Sequence, residues 1–530
     1  MNGSATAVPP LPSSSQRSFR NSLFAMLGIG MVNMLIALDQ TIVSTALPSI
    51  VSELNGFDYY AWIAVAYLLG SVVSVPVFGR LGDFFGRKPF VVTAIAMFTV
   101  ASIICGLAPT ILTLVFARAL QGISGGMMVG TAFASLADLF PNPKDRLKWQ
   151  VVLAGSYGIA TACGPSLGGF LSENYGWRST FLINIPIGLL GLFFVIKYLP
   201  RFARPATGPI KLDWLGVALM AVSLCCLQMF VESVPHKGLS SGNLLLVVGA
   251  VVAGCALVFV ERRAASPILP MELFSERKYI VMFLLSMICG AAMFSLIFYV
   301  PLLLQGGFFM SPAQAGLAVT PLPVCIAVGS IVNSKVIVHL KRPTSILTVG
   351  FGLLLICCLG VIWANRDTSR WLLGFTLGCG GVGLGFLLNN LNVFGQQIVG
   401  RARVGIFTAL LQSTRMIGGM LGTAALGALI TYAYAVQMGG LIRSVLKATD
   451  SERSWLTKLA DPQILVDPAA RTGLLDGLSN AAVAGDYLLE SARQTLVTAV
   501  HQGFMVVTVL VLLALWLVRQ VPDIKLNQRL

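Results

Sequence analysis

Asp39 is the residue in this sequence best placed to do chemistry, because it lies inside an apolar run spanning about residues 22–48. An ionisable group within a bilayer-length run is costly to hold there and marks a functional position by default. In apolar surroundings the charged and protonated carboxyl forms approach one another in free energy, which suits the group to bind and release a proton near neutrality. Arg118, in a later run, is its natural partner. Asp39 lies about 13 Å from the outer end of its run and Arg118 about 12 Å from the outer end of its own, at 1.5 Å per residue. The two can therefore share a depth. Two readings of the pair stand side by side: a proton-coupling pair that opens and closes, or a permanent structural salt bridge.

A second embedded charge, Arg415, falls near mid-membrane, about 20 Å from the inner end of its run. It is suited either to attract an anionic group of a bound molecule or to pair with a polar neighbour such as Gln412 or Asn392. Asn389, Asn390 and Asn392 cluster in the preceding run and Gln305 ends an earlier one. These are candidate pocket groups, though hydrogen bonding between helices explains them equally well. Among aromatics, Tyr67 and Phe298 are set deep enough to line a pocket, whereas Tyr59, Tyr60 and Trp62 read as an interfacial belt.

Other chemistries find little support. Three histidines and ten cysteines without a CxxC spacing argue against a metal site or a disulfide framework. Gly378–Gly383 fits GxGxxG, but no strand precedes it, so the stretch is not a dinucleotide loop. No GxxxxGK[ST] occurs, and no cofactor is expected. A membrane-embedded enzyme would need a cluster of acids or histidines within the apolar runs.

The elements that hold these residues follow from composition. Only 11% of the 530 residues are charged and 56% are hydrophobic, with a mean hydropathy of +0.83. Soluble domains carry about 25% charged residues. Fourteen apolar runs, from 22–48 to 496–519, are each long enough to cross a bilayer core of about 30 Å. The net charge of +15 does not indicate nucleic acid, because the basic residues sit in short clusters between the runs. With the N-terminus in the cytoplasm, about 24 of the 36 Lys and Arg fall on the cytoplasmic side and about 10 outside. Both termini are then cytoplasmic, and the bilayer is the chain's constant partner.

The Pro/Ser-rich start, residues 1–21, reads as a cytoplasmic tail leading into a retained first span. A faint repeat divides the remainder. Gly164, Pro165 and Gly168 align with Gly418, Gly419 and Gly422, and Arg87-Lys88-Pro89 aligns with Lys341-Arg342-Pro343. Both matches lie eight spans apart, which makes residues 22–199 and 279–519 two related six-helix bundles. Residues 200–278 then carry two inserted spans, and 520–530 form a tail. Paired repeats are typical of carriers that rock one half against the other around a central site. The loop 436–495 is expected to form a small helical cap or a mobile outer loop.

Between the second and third spans runs Gly79-Arg80-Leu81-Gly82-Asp83-Phe84-Phe85-Gly86-Arg87-Lys88. Its glycines permit a tight turn, while Asp83 and Arg87 can pair or cap helix ends. This segment resembles the signature loop of the major facilitator superfamily. Leu38 to Pro48 (LDQTIVSTALP), Arg118-Ala119-Leu120-Gln121-Gly122 and Gly158 to Gly169 (GIATACGPSLGG) narrow the resemblance to fourteen-span drug:proton antiporters of the EmrB/QacA type, as do Trp177-Arg178 and Asn184 to Gly188.

The resemblance implies an all-α membrane protein of the major facilitator fold, a secondary transporter rather than an enzyme, in a bacterial inner membrane. It implies proton coupling at Asp39 and Arg118, and a conformational latch at Gly79, Asp83, Gly86, Arg87 and Lys88. It places an antiporter hinge at Gly158, Gly164, Pro165, Gly168 and Gly169. The residues themselves, apart from the resemblance, offer Tyr67, Gln121, Tyr157, Phe298, Asn389, Asn392, Gln412 and Arg415 as candidate substrate contacts. The proton gradient supplies energy, and a periplasmic adaptor protein is an open further partner. The resemblance also implies that dication export uses a second membrane carboxylate in the C-terminal half; span ten, Pro312 to Val338, lacks Asp and Glu, which favours monovalent cationic or neutral amphipathic cargo. Dedicated export of an endogenous metabolite, such as a siderophore or antibiotic, is the alternative within the same fold.

Overall fold

The computed structural model describes residues 19–140, 143–200, 213–237, 240–264, 271–340, 342–399, 404–445, 465 and 482–522. Sixteen α-helices and no strands occur among them. They are α1 (Phe19–Glu53), α2 (Tyr60–Phe85), α3 (Arg87–Gly106), α4 (Ile111–Leu139), α5 (Pro143–Tyr175), α6 (Ser179–Leu182), α7 (Asn184–Tyr198) and α8 (Trp214–Lys237). Then follow α9 (Ser241–Arg263), α10 (Arg277–Leu302), α11 (Pro312–Val319), α12 (Pro321–Val336), α13 (Ser345–Trp363), α14 (Arg370–Val399), α15 (Val404–Val445) and α16 (Ala482–Val518).

Thirteen helical segments among the described residues are long and apolar enough to cross a membrane. The remaining expected span is α5, a helix of 33 residues whose glycines, serines and threonines dilute its hydropathy. Those small residues serve packing, since α5 lies against α1 on one side and α11 on the other. Two expected spans are interrupted. The sixth breaks at Ile183 between α6 and α7, and the tenth breaks at Thr320 ahead of Pro321. Pro165, by contrast, sits within a continuous helix.

Helices α1 to α7 pack among themselves, as do α10 and α12 to α16, while α11 packs chiefly on α5. The inserted α8 and α9 pair with each other, and α8 lies along the seam where α2 meets α15. Leu224 of α8 packs there against Val72, Val75 and Met416. Leu245 and Val252 of α9 are exposed, an apolar surface suited to lipid.

The glycine repeat has a structural counterpart. A Cβ on Gly164 would lie 1.8 Å from Thr41 Oγ1, and one on Gly168 would lie 2.5 Å from the Ile42 carbonyl, so α5 meets α1 at backbone distance. Gly418 and Gly422 make the equivalent approach of α15 to α10, at the Met287 carbonyl and at Ala291. Gly381 and Gly383 of the GxGxxG stretch are likewise packing residues, against Leu322 of α12 and Gly350 of α13.

The expected outer cap takes another form over the described residues. The helical stretches foreseen near Leu441 and after Ala481 are extensions of α15 to Val445 and of α16 from Ala482. Residues 446–464 and 466–481, and the tails 1–18 and 523–530, lie outside the described residues.

Candidate functional site: a caged ion pair beside a sealed interface

Asp39 sits on α1 and Arg118 on α4, and the structure brings them together. Arg118 Nη1 donates to Asp39 Oδ2 at 2.6 Å, with side chains 1% and 0% exposed. Arg118 and Gln121 are three residues apart on one face of α4, so both reach the carboxylate. Gln121 Nε2 donates to Asp39 Oδ1 at 3.2 Å, and its Oε1 accepts from Arg118 Nη1 at 2.7 Å. The break at Ile183 makes Asn184 the first residue of α7, and its Nδ2 donates to Asp39 Oδ1 at 3.3 Å.

Ser102 of α3 accepts from Gln121 at 2.7 Å and from Asn184 at 3.4 Å. Cys105, one turn further along α3, donates to Gln121 Oε1 at 3.4 Å. Arg118 Nε donates to the Ile63 carbonyl at 3.1 Å. The guanidinium also lies over the Tyr67 ring, 4.7 Å from its centroid, with the Phe181 ring at 5.9 Å. The pair and the groups that hold it are thus drawn from six helices, α1 to α4, α6 and α7. Such an arrangement meets the condition for keeping an ion pair out of water, since burying either charge alone is far costlier.

The expected outer face is closed by contacts between the two helix groups. Gln305 Nε2 donates to the Thr45 carbonyl at 2.8 Å, and the Tyr60 hydroxyl donates to the Phe298 carbonyl at 2.8 Å. Ser166 and Thr320 hydroxyls meet at 2.6 Å. Glu173 Oε2 accepts from the Ala313 amide at 2.9 Å, at the first turn of α11, where a carboxylate is favoured. A Cβ on Gly169 would lie 2.2 Å from the Pro312 carbonyl, and one on Gly316 would lie 2.2 Å from that of Pro165. Outside this seal, Glu53 takes hydrogen bonds from Arg178 and from Trp177 Nε1, beside a cavity of about 410 Å³ that Gln305 and Phe309 also line.

The remaining candidates divide by position. Tyr67 and Phe298, foreseen as pocket walls, are enclosed: Tyr67 beneath Arg118, Phe298 beside Phe294 with centroids 6.2 Å apart. Gln121, foreseen as a substrate contact, belongs to the cage around Asp39. Tyr60, foreseen as part of an interfacial belt, is instead 4% exposed and bridges α2 to α10.

Asn389 is exposed, and Asn392 donates to the Leu388 carbonyl of its own helix at 2.9 Å. Asn390 is the buried member of that trio, donating to Asn333 at 2.6 Å. Tyr157, Gln412 and Arg415 are each half-buried. Gly158 faces Ala327 of α12, with room for a Cβ only at 3.0 Å.

At the loop, Gly86 has φ +83° and turns the chain from α2 into α3, a conformation that favours glycine. Gly79 packs towards Gly130 and Gly82 towards Thr131 on α4. Lys88 Nζ donates to the Ile196 carbonyl at 2.6 Å. The side chain of Asp83 lies outside the described residues.

Sequence reasoning missed Ser102, Cys105 and Asn184 in the cage, and Gln305 and Glu173 as contacts of the seal. The signal for Asn184 was present, as an amide in an otherwise apolar span. Only the fold shows that the break at Ile183 turns it towards Asp39.

Comparison with known proteins agrees with this architecture. The sequence profile of the Major Facilitator Superfamily matches residues 29–423. Multidrug transporter protein MdtP of Bacillus subtilis (strain 168) is 33% identical over 400 residues, 74% of this chain and 72% of that protein. Multidrug resistance protein 3 of the same organism is 28% identical over 469 residues, 87% of this chain and 89% of its own. A crystal structure of a bacterial homologue of the human lysosomal transporter Spinster, inward-facing and occupied, superposes with a TM-score of 0.61 at 14% identity, covering 95% of this chain and 97% of that one.

A chain of membrane-length helices around a caged ion pair, matched in this way, is a multi-pass membrane transporter. It belongs to the major facilitator superfamily, and the relatives it resembles are named as multidrug transporters.

Proposed function

We propose that this chain is a proton-coupled antiporter of a bacterial inner membrane, with both termini cytoplasmic, that exports amphipathic organic compounds. The observation that carries the reading is the Asp39–Arg118 pair, 2.6 Å apart and closed to water, in a chain whose relatives are named for multidrug transport. A carboxylate so enclosed can accept a proton only by giving up its charge-assisted bond to Arg118. Neutralising it removes the electrostatic tie between α1 and α4 and frees Gln121 and Asn184 to find new acceptors. Because α1 carries Thr41 and Thr45 against Gly164 and Gly168 of α5, a shift at Asp39 reaches the seal within two helical turns.

The cycle follows from that linkage. A proton arriving from outside loosens the pair, favouring opening outward and release of cargo. Loss of the proton to the cytoplasm restores the pair and the closed outer face. No cofactor takes part; the proton gradient drives the exchange. Purified protein in liposomes under an imposed proton gradient tests the reading: addition of a transported amphipath should move protons in the opposite direction. Transport that proceeds at the same rate with the gradient collapsed would contradict it. A growth-inhibition panel in an efflux-deficient host then separates broad drug export from a single endogenous cargo.

A further inference from the structure

We infer that Arg415, with Tyr157 and Gln412, forms a binding point for an anionic group of the cargo, a carboxylate on an amphipathic molecule. The inference rests on the export reading and departs from the cationic or neutral cargo expected from the sequence, adding amphipaths that carry a carboxylate.

Arg415 projects from α15 where that helix crosses α10 at backbone contact: a Cβ on Gly290 would lie 1.9 Å from the Arg415 carbonyl. It is about 17 Å along the helix from Val404, near mid-membrane and out of reach of a lipid headgroup. Its side chain is half-buried, and it has no hydrogen bond and no carboxylate partner among the described residues. The titratable groups near enough to interact electrostatically are Cys289 of α10 and Tyr157 of α5, both uncharged as ordinary side chains. Neither polar neighbour foreseen from the sequence satisfies it, since Asn392 bonds within its own helix and Gln412 lies one turn away without bonding it.

This is the reverse of Arg118, whose every feature is compensated. A guanidinium left at this depth without a counter-charge is unfavourable unless water or a ligand solvates it. Its fork of donors matches a carboxylate in bidentate geometry. Tyr157 supplies an aromatic wall from the other helix group, packed against the cluster of Ala37, Leu38 and Ile42 of α1 and Ala160 of α5. The repeat sharpens the contrast: the position matching Arg415 in the first half, three residues before Gly164, is Thr161.

The test is equilibrium binding to the purified full-length protein in detergent, using 4-(1-pyrenyl)butyrate and its methyl ester. A charge-assisted hydrogen bond contributes about 1.5–3 kcal/mol, so the acid should bind about 10-fold or more tightly than the ester. Arg415→Gln should bring acid and ester to within about threefold, and Arg415→Lys should retain part of the preference. Gly439→Ala, away from the site and with nothing within 4 Å of the added methyl, should keep the full charge preference, which guards against an effect of substitution in general. Equal binding of acid and ester to the unaltered protein, no binding of the acid, or an acid-to-ester ratio unchanged in a folded Arg415→Gln protein would each overturn the inference. Those outcomes leave proton exchange itself untouched; loss of gradient-driven transport in the unaltered chain would instead overturn the export reading.

Discussion

At the scale of single residues, Asp39 and Arg118 were legible because charges stand out in apolar runs, and their common depth followed from counting rise along a helix. What could not be counted was the company they keep. Gln121 had two futures in the sequence, cargo contact or cage, and the 3.2 Å bond to Asp39 assigns it to the cage in this conformation. Arg118→Met should be the harshest substitution here, because it strands a buried carboxylate. The loss of a buried partner costs about 3–5 kcal/mol, visible as a large fall in Tm of the purified protein. Asn184→Ala removes one of three donors to Asp39 and should cost about 1–3 kcal/mol, a smaller fall with transport retained in part. Equal Tm values for the two variants would contradict the ranking of these contacts.

At the scale of helices, the run lengths predicted the spans well, but their interruptions came from sources that hydropathy does not register. The break at Ile183 falls ahead of Asn184, and the break at Thr320 falls where the side chain is tied to Ser166 of another helix. Pro165, which reads as a hinge, stays in a continuous helix because its small neighbours let α1 and α11 brace it from both sides. The outer stretches read as a separate cap were continuations of α15 and α16; a loop and a helix extension share the same mixed composition. Gly168→Leu should be severe, since even a Cβ would lie 2.5 Å from both the Ile42 carbonyl and Thr45 Oγ1. Overpacking of this kind costs about 1–3 kcal/mol or more, measurable as lost folded protein and lost transport. Gly439→Ala, where nothing lies within 4 Å, is the matched control and should leave both unchanged.

At the scale of the whole molecule, a faint glycine repeat stood in the sequence, and both copies sit at close helix approaches, α5 on α1 and α15 on α10. The conformational state was not readable, because no sequence pattern records which face of a two-state carrier is shut. Here the contacts of Gln305, Tyr60, Glu173 and Ser166 close the expected outer face. A carrier that alternates access must break them in each cycle. The double substitution Ser166→Cys with Thr320→Cys, at hydroxyls 2.6 Å apart, should arrest transport under oxidation and recover it under reductant. Full transport with the crosslink formed would show that these helices do not separate.

All three scales converge on Asp39, and one measurement tests its role most directly. Reconstituted Asp39→Asn protein is compared with the unaltered chain in two assays: substrate accumulation driven by a proton gradient, and substrate exchange across liposomes without a gradient. Asparagine preserves shape and one acceptor oxygen but cannot carry the proton. Gradient-driven accumulation should vanish while gradient-free exchange persists, a split that a merely structural salt bridge would not produce. Full gradient-driven accumulation by Asp39→Asn would contradict the account.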